Sequence, residues 1–333
     1  MPELPEVETT KTSLKPLLNK KVEAIEVFQP KLRWSIPSDI GSLQGYVLQS
    51  IERRAKYLIL KFTSKSVENL GSTSSINITN ATDSADSINE DSKSLIIHLG
   101  MSGSLQQFPI GTQKRKHDHL IMQFSSTSSD NIIQLHYHDP RRFGAILWFA
   151  DYEEKLLSHL GVEPLDSVFT GQYLYDKIHR ILENKTRNRQ NKLALKPISR
   201  PIKAVIMDQV FVVGVGNIYA TESLFMSAIH PSTPAHKISK SQLSVLVKHI
   251  KEILKRSITQ GGSTLKDFTV ANGKTGYFQQ TLLVYGKHKS PCPTCGTSID
   301  KVTITGRAST YCPTCQPHVK FKTKRIANSI SNS

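Results

Sequence analysis

The 333-residue sequence predicts an α+β, multidomain protein, and three observations carry the prediction. Apolar and polar residues alternate through most of the first 150 positions. The periodicity turns helical after about Leu165. A short segment rich in Gly, Pro and Cys follows between residues 287 and 318. Period-two alternation marks half-buried strands, whereas apolar residues at i, i+3, i+4 and i+7 mark one face of a helix. The expected architecture is an N-terminal antiparallel β-sandwich preceded by a helix, then a helical domain, then a small β-hairpin that cannot fold on apolar burial alone and needs a staple.

The N-terminal helix is announced by "MPELPEVE". Proline suits a first helical turn, and carboxylates there complement the helix dipole, which accounts for Pro5, Glu6 and Glu8. It leaves Pro2 and Glu3 without a role. Strands follow in "KVEAIEVF" and "GYVLQSIERRAKYLILKF", and again in "SLIIHLGMSGSL", "HLIMQF" and "IIQLHYHDPRRFGAILWF", so that residues 1–150 read as one sandwich domain. The stretch from Ser64 to Ser94 is dominated by Ser, Thr, Asn and Asp and has too little apolar surface to order itself, so it reads as a disordered insertion in a hairpin loop. Its sequons at Asn77 and Asn80 are what such a composition produces by chance. "SSTSSDN" at 125–131 reads as a smaller loop of the same kind.

Residues 151–165 read as a linker and 166–286 as the helical domain. "RPIKAVIMDQ" opens a helix at Pro201, and "GVGN" is a glycine turn into a second helix that Asn217 can cap. "SKSQLSVLVKHIKEILKRSITQGG" places Leu243, Leu246, Val247, Ile250, Leu254 and Ile258 on one stripe, with a serine at the start and Gly261-Gly262 at the end. The last ordered segment, 287–318, is followed by a basic tail, 319–333, carrying Lys320, Lys322, Lys324 and Arg325, which reads as a flexible end.

Charge narrows the function. Forty-three Lys and Arg against 27 Asp and Glu leave +16, which favours a polyanionic partner, nucleic acid or a membrane surface. No run of apolar residues is long enough to span a bilayer, and no long basic amphipathic helix is evident, so no membrane partner is expected. The acidic start lacks a signal-peptide pattern, so a reducing, cytoplasmic location is expected, where four cysteines are metal ligands or thiols rather than disulfides. Cys292-Pro-Thr-Cys295 and Cys312-Pro-Thr-Cys315 are separated by sixteen residues. Two such knuckles let four thiolates converge tetrahedrally on one zinc, with no ligand position left open for catalysis. The metal is structural, and Arg307 lies where a finger tip would project.

The glycine turn "GVGN" lacks the third glycine of a dinucleotide-binding loop and no phosphate-loop lysine follows, yet a turn feeding a helix N-terminus suits an anion such as a phosphate. By residue type alone "HDPRRFGA" is a solvated pair of arginines beside a core phenylalanine, and "LGMSGS" is a turn next to a core methionine. The opening stretch offers chemistry. Methionine before a small residue is commonly removed, which would leave Pro2 with a secondary amine. Such an amine has a pKa of about 8 against about 10.4 for lysine, so roughly a tenth of it is unprotonated at pH 7. Added to C1′ of a deoxyribose, it forms an iminium ion, an electron sink for breaking nearby C–O bonds. Glu3 can then move protons to the sugar, and Glu6 can orient the amine.

These residues carry a resemblance. "PELPEVE", "AKYL", "HLGMSG", "KHDH", "DPRRFGA", "GVGNIYA", "GGSTLKDF", "GYF" and the paired "CPTC" knuckles occur in the order found in the formamidopyrimidine-DNA glycosylases, and the chain is similar to that family over nearly its whole length outside the insertion and tail. The family is bacterial; its members remove oxidised purines, 8-oxoguanine among them, and then cut the strand.

The resemblance implies a helix-two-turns-helix domain and a zinc-finger β-hairpin. It also implies a bifunctional base-excision glycosylase and abasic-site lyase, working through a Schiff base with β,δ-elimination. Pro2 would be the nucleophile, Glu3 the general acid and base, Glu6 a supporting carboxylate, and Lys56 the holder of the phosphate beside the lesion. Met101, Arg141 and Phe143 would fill the hole left by the flipped nucleotide, which replaces the bland readings of their motifs. His117, Lys203, Asn217 and Arg307 would bind backbone phosphates. The loop "GGSTLKDFTVANGKTGYF", with Lys266 and Tyr277, would cover the extruded base. Double-stranded DNA with oxidised bases is the implied partner, one Zn2+ the implied cofactor, and a nucleoid-associated monomer the implied state. Two alternatives stay open: a sister enzyme of the endonuclease VIII type acting on oxidised pyrimidines, against which "PEL" and the full "DPRRF" argue, and a zinc-ribbon DNA-binding protein without catalysis.

Overall fold

The computed structural model describes residues 2–64, 92–126, 129–190, 192–262 and 281–318. Most of the expected insertion, both sequons, Lys266, Tyr277 and the basic tail lie outside the described residues. The chain divides into two compact units. One comprises Met1–Phe169, Ile206–Tyr219 and Ile250–Leu282; the other comprises Thr170–Val205, Ala220–His249 and Leu283–Ser333.

In the first unit, α1 (Leu4–Ser13) starts where the proline and carboxylates predict. Glu3 is the extended residue before it, Pro5 sits in its first turn, and the Glu6 carboxylate accepts the Glu3 N–H at 2.8 Å. That bond satisfies a donor that the helix start leaves without an intrahelical partner. Eight strands follow: β1 (Lys21–Val27), β2 (Val47–Arg54), β3 (Tyr57–Thr63), β4 (Ser92–His98), β5 (Ser104–Pro109), β6 (Asp118–Ser126), β7 (Ser129–His138) and β8 (Ala145–Trp148). They hydrogen-bond antiparallel in the order β5-β7-β6-β1-β2-β3-β4-β8. Between β1 and β2 the register holds a single pair, Lys21 with Val47, while the neighbouring ladders run to six or seven pairs. The ladder is nearly broken there. Side chains of both halves, Leu105, Leu120, Phe124 and Tyr137 from one and Leu48, Leu58, Phe62 and Ile97 from the other, share one core with Val7 and Leu14. The sandwich is therefore two four-stranded layers joined at a short seam, the Lys21–Val47 pair and the backbone bonds of Asn19, Lys20 and Val22 with Gly45, Tyr46 and Leu48 around it.

Three sequence boundaries shift. Ser92–Ser94, expected to be disordered, open β4 by pairing with Thr63–Lys61. The 125–131 stretch, expected to be a loop, is mostly strand, with Ser126 opposite Ser129. In both cases backbone ladder bonds order residues whose polar side chains gave no apolar signal. The first seven residues of the expected linker at 151–165 belong to α2 (Phe149–Leu157), because Phe149, Tyr152, Leu156 and Leu157 cover the face of β3, β4 and β8 formed by Ile59, Ile96, Ala145 and Leu147.

Helices dominate the chain after α2: α3 (Gly171–His179), α4 (Ile181–Arg189), α5 (Ile202–Ile206), α6 (Asn217–Met226) and α7 (Lys240–Thr259). Ser239 caps α7 reciprocally with Gln242: the Gln242 N–H donates to Ser239 Oγ at 3.2 Å and the Ser239 N–H to Gln242 Oε1 at 3.0 Å. The stripe Leu243, Leu246, Val247, Ile250 and Leu254 is buried as its spacing predicts, and Ile253 joins it. The second unit closes with the hairpin β9 (Asp300–Ile304) and β10 (Arg307–Tyr311). Its anchor is Glu222, fully buried on α6, whose carboxylate accepts the N–H groups of Leu283, Val284 and Tyr285 at 2.7–2.9 Å. Losing a buried charged acceptor strands its donors at about 1–3 kcal/mol. Glu222→Ala should therefore lower unfolding stability by about that amount or more in a urea titration; an unchanged midpoint would show the three bonds to be dispensable.

Candidate active site

Glu3 is 2 % exposed and its carboxylate meets the start of α6. Oε2 accepts the Gly216 N–H at 2.8 Å and Oε1 the Ile218 N–H at 2.9 Å, with the Tyr219 N–H more distant at 3.5 Å. The anion-binding site expected at "GVGN" is thus filled from within the chain: a carboxylate takes the N–H groups and the positive dipole end that a phosphate would use. Gly216 has no substitute here, because a Cβ would lie 2.3 Å from the Glu3 carboxyl carbon. Burial pushes the Glu3 carboxyl above the usual carboxylate range; Lys56 and the Ile218 and Gly216 N–H groups oppose the rise, and the Glu6 charge adds to it.

Glu6, buried beside it, holds the Glu3 N–H with Oε2 and accepts the Tyr219 hydroxyl at 2.6 Å with Oε1; that hydroxyl lies 2.6 Å from Ser257 Oγ on α7. Burial, with Glu6 and Glu3 nearby, drives the Tyr219 pKa well up, so it stays a donor. Pro2 is buried at the entry to this cluster. Lys56 is 8 % exposed at the two-residue turn between β2 and β3, where Ala55 takes the left-handed conformation at φ 55°.

The "LGMSG" and "DPRRFGA" turns lie together. Gly100, in the left-handed region at φ 63°, packs against the backbone of Phe143, where a Cβ would lie 2.4 Å from the carbonyl carbon. This brings the Met101 turn against the Arg141–Phe143 turn. Met101 is 38 % and Phe143 47 % exposed, and the Arg141 guanidinium lies over the Phe143 ring at 5.2 Å. The reading of Met101 and Phe143 as core, made from residue type alone, is overturned: the strands end before them and both side chains are exposed among the described residues. One buried carboxylate ties both turns. Asp139 accepts the Ser102 hydroxyl at 2.7 Å and the Gly144 N–H at 2.9 Å, with the Arg141 N–H at 3.3 Å. Burial, with the Lys56 and Arg33 charges, pushes His98 down to about 4, so its neutral Nδ1 accepts the Gly100 N–H at 3.0 Å.

His117 is half-exposed, ringed by His119 and His138. Below it Asp118, its side chain buried, binds His136, His138 and Arg115 at 2.9 Å, and these partners outweigh burial to hold its carboxyl well below the usual range. Phe28, Lys114, Lys116, His117 and Arg142 line a basic cavity of about 310 Å³.

In the second unit Arg307 is exposed directly after the left-handed Thr305-Gly306 turn of the hairpin, as a finger tip would be. Lys203 departs from expectation. It is 1 % exposed, and its ammonium donates to Thr221 Oγ1 and Ser309 Oγ at 2.7 Å each and to the Ala308 carbonyl at 3.4 Å. Three neutral acceptors from α6 and β10 draw it inward, so it braces the hairpin rather than meeting a surface phosphate. Asn217 begins α6 rather than preceding it, and Glu3 supplies the cap.

The four cysteine sulfurs all lie within 4.8 Å of one another, Cys292 and Cys315 at 3.9 Å and Cys295 and Cys312 at 3.4 Å. Tetrahedral zinc with Zn–S of about 2.3 Å sets its sulfurs about 3.8 Å apart, so this donor set fits one zinc ion. Knuckle N–H groups of Thr294 and Cys315 point at Cys292 and Cys312 Sγ at 3.4 Å, the second layer such a site needs.

Models of three domains match along the chain: the formamidopyrimidine-DNA glycosylase N-terminal domain over residues 1–146, the formamidopyrimidine-DNA glycosylase H2TH domain over 160–269, and the zinc finger found in FPG and IleRS over 289–317. A Psychrobacter arcticus protein named formamidopyrimidine-DNA glycosylase is 55 % identical over 321 residues, covering 96 % of this chain and all of that one. The chain belongs to the formamidopyrimidine-DNA glycosylase family.

Two solved structures from Lactococcus lactis carry the likeness into three dimensions, each covering 95 % of this chain and all of theirs. One is an FPG mutant in complex with Fapy-dG-containing DNA, at a TM-score of 0.74 and 29 % identity. The other is Fpg with an abasic site containing DNA, at 0.73 and 30 %.

Sequence reasoning assigned no role to Tyr219, Ser257 or Asp139, whose contacts in this formamidopyrimidine-DNA glycosylase family member come from distant residues meeting, although Tyr219 lies inside "GVGNIYA" and Asp139 inside "HDPRRFGA". Cys292→Ser should leave less than one zinc per chain by elemental analysis and unfold the β9–β10 hairpin, visible as loss of hydrogen-exchange protection there. Full zinc occupancy in that variant would remove Cys292 from the ligand set.

Proposed function

We propose that the chain is a bifunctional base-excision DNA glycosylase that removes oxidised purines, formamidopyrimidines and 8-oxoguanine, and then cuts the strand as an abasic-site lyase. The observation that carries the reading is the buried Glu3 carboxylate, raised in pKa and fixed next to Pro2, in a member of this family. With the first methionine removed, the Pro2 amine adds to C1′ of the damaged nucleoside as the base leaves. Opening of the sugar, in which the C1′–O4′ bond breaks and O4′ takes up a proton, leaves an iminium ion at C1′; loss of a C2′ proton then expels the 3′-phosphate, and loss of the C4′ proton in a second elimination expels the 5′-phosphate. Glu3, a carboxyl that exchanges its proton closer to neutral pH than an exposed one, delivers and recovers the sugar protons. Glu6 holds the Glu3 backbone N–H and so sets the line of the first residues.

Lys56 stands in this reading as the cation that holds the phosphate beside the lesion. Met101, Arg141 and Phe143, exposed and tied together from beneath by Asp139, are suited to fill the stack once a nucleotide is extruded. His117 and Arg307, and the charge of +16, supply backbone phosphate contacts; Asn217 is kept with them and Lys203 is not. Lys266 and Tyr277, outside the described residues, would contact the extruded base. No described helix is long and apolar enough to cross a membrane, and the reading carries with it a cytoplasmic, nucleoid-bound monomer.

Borohydride added to the protein with 8-oxoguanine duplex should trap a covalent adduct; duplex binding with no adduct would leave a non-catalytic DNA-binding protein instead. Glu3→Gln, which keeps the shape and removes the proton, should slow excision by about 10²–10⁴-fold with binding retained; excision at the normal rate would end the acid–base assignment. The Lys56 ammonium favours the charged form of Glu3, so Lys56→Met should raise the Glu3 pKa and move the limb of the pH–rate profile that Glu3 governs to higher pH. A limb that stays in place or moves down would show that the two groups do not interact.

A further inference from the structure

The turn that carries Lys56 is not self-supporting. It spans two residues, and Ala55 occupies the left-handed region at φ 55° without being a glycine. An L-residue is strained in that conformation and keeps it where its surroundings hold it. The holder is Glu163, on the stretch after α2. Its Oε1 accepts the Ala55 N–H at 2.7 Å and the Arg54 guanidinium at 3.0 Å, and its Oε2 accepts the Arg53 guanidinium at 2.8 Å. Arg53 in turn donates to the Ala55 carbonyl at 3.0 Å and to Glu8 of α1 at 2.6 Å. Both peptide groups of the strained residue are therefore gripped, one by Glu163 and one by a guanidinium that Glu163 also binds. These pairs are mostly shielded, with Arg53 at 10 % and Glu163 at 15 % side-chain exposure.

Glu163 is itself tied to the segment that cradles Glu3. Val162 pairs in parallel with Val212, the Val213 N–H donates to the Val162 carbonyl at 3.0 Å, and the Gly161 N–H donates to the Gln209 carbonyl at 2.7 Å. That segment runs on through Gly214, whose carbonyl accepts the Leu4 N–H at 3.0 Å, to Gly216 and Ile218, the donors to Glu3. A short run of backbone bonds on one side and one carboxylate on the other thus connect the Glu3 cradle to the Lys56 turn.

We infer that Glu163 is a positioning residue: through the Ala55 turn it fixes Lys56 beside Glu3. It touches neither the reacting atoms nor the DNA phosphate; it acts through Lys56, and the catalytic consequence rests on the function proposed above. Charged and titratable groups facing Glu3 are Lys56 from the β2–β3 turn, Glu6 from α1 and Tyr219 from α6. Of these Lys56 is the one that Glu163 controls, and it is the one that lowers the Glu3 pKa. Loosening it should raise that pKa, the same direction as removing Lys56.

The test uses the full chain with Glu163→Ala, Glu163→Gln, Lys56→Met and the double variant Lys56→Met with Glu163→Ala. The Glu3 carboxyl is followed by carbon NMR across pH without DNA, so that this readout does not depend on the proposed reaction. The titration midpoint of Glu3 should move up in Glu163→Ala, as in Lys56→Met, and no further in the double variant. Glu163→Gln, which keeps an acceptor for the Ala55 N–H, should fall between wild type and Glu163→Ala, and serves alone if the alanine variant does not fold. Single-turnover excision of 8-oxoguanine should drop on the order of tenfold in Glu163→Ala, again without adding to Lys56→Met. A Glu3 midpoint unmoved in folded Glu163 variants, or losses that add in the double variant, would overturn the positioning role. A wild-type protein that excises nothing would instead overturn the proposed function, while the NMR result would still decide the inference.

Discussion

The placement of one carboxylate in a dry interior organises the active-site region. An ionised carboxylate moved out of water costs several kcal/mol unless donors replace the lost hydration. Glu3 finds them at the start of α6, where backbone N–H groups have no intrahelical partner and the dipole end is positive. The bond between residue 3 and residues 216–218 closes the beginning of the chain onto its middle, and everything near Pro2 inherits a fixed position from it. The compensation is incomplete, since burial still outweighs the donors and the Lys56 charge. That imbalance is what lets a carboxyl hold its proton at a pH where an exposed one has lost it.

The same solution recurs across the molecule. Glu6, Asp118, Asp139 and Glu222 are all buried, and each accepts hydrogen bonds from backbone or from side chains brought from elsewhere in the chain. With Glu3, these five acidic residues of a strongly basic protein are used inside, as acceptors that fix turns and chain crossings. The basic surplus can then stay at the surface, where counterion release on binding a polyanion rewards it. Lys203 is an exception that proves instructive: it went inward because three neutral oxygens were available, and it holds the hairpin that presents Arg307.

Much of the architecture was legible in residue order. The strand-like stretches covered seven of the eight strands but reached only Ser104 and Leu105 of β5, the apolar stripe of α7 was read correctly from Leu243 to Leu254, and the spacing of the two cysteine knuckles named the metal before any sulfur was placed. What misled was composition used as a proxy for order. Ser92–Ser94 and much of 125–131 are polar yet lie in strands, because ladder bonds depend on the neighbouring backbone. Met101 and Phe143 are apolar yet exposed, because their turns project beyond the strand ends.

The sequence by itself determined which segments become strands and helices, where the zinc site forms, and, through its ordered set of motifs, the family. Those properties depend on residues close together in the chain or at fixed spacing, so local periodicity and ligand chemistry suffice. Only the tertiary structure decided that Glu3 rather than a phosphate fills the α6 N-terminus, that Asp139 ties the Met101 turn to the Phe143 turn, that Lys203 is interior, and that Glu163 grips the Lys56 turn across more than a hundred residues. Each is a meeting of a charged group with partners elsewhere in the chain, and whether such a group is desolvated, and by which partners it is met, is set by packing that no local pattern encodes.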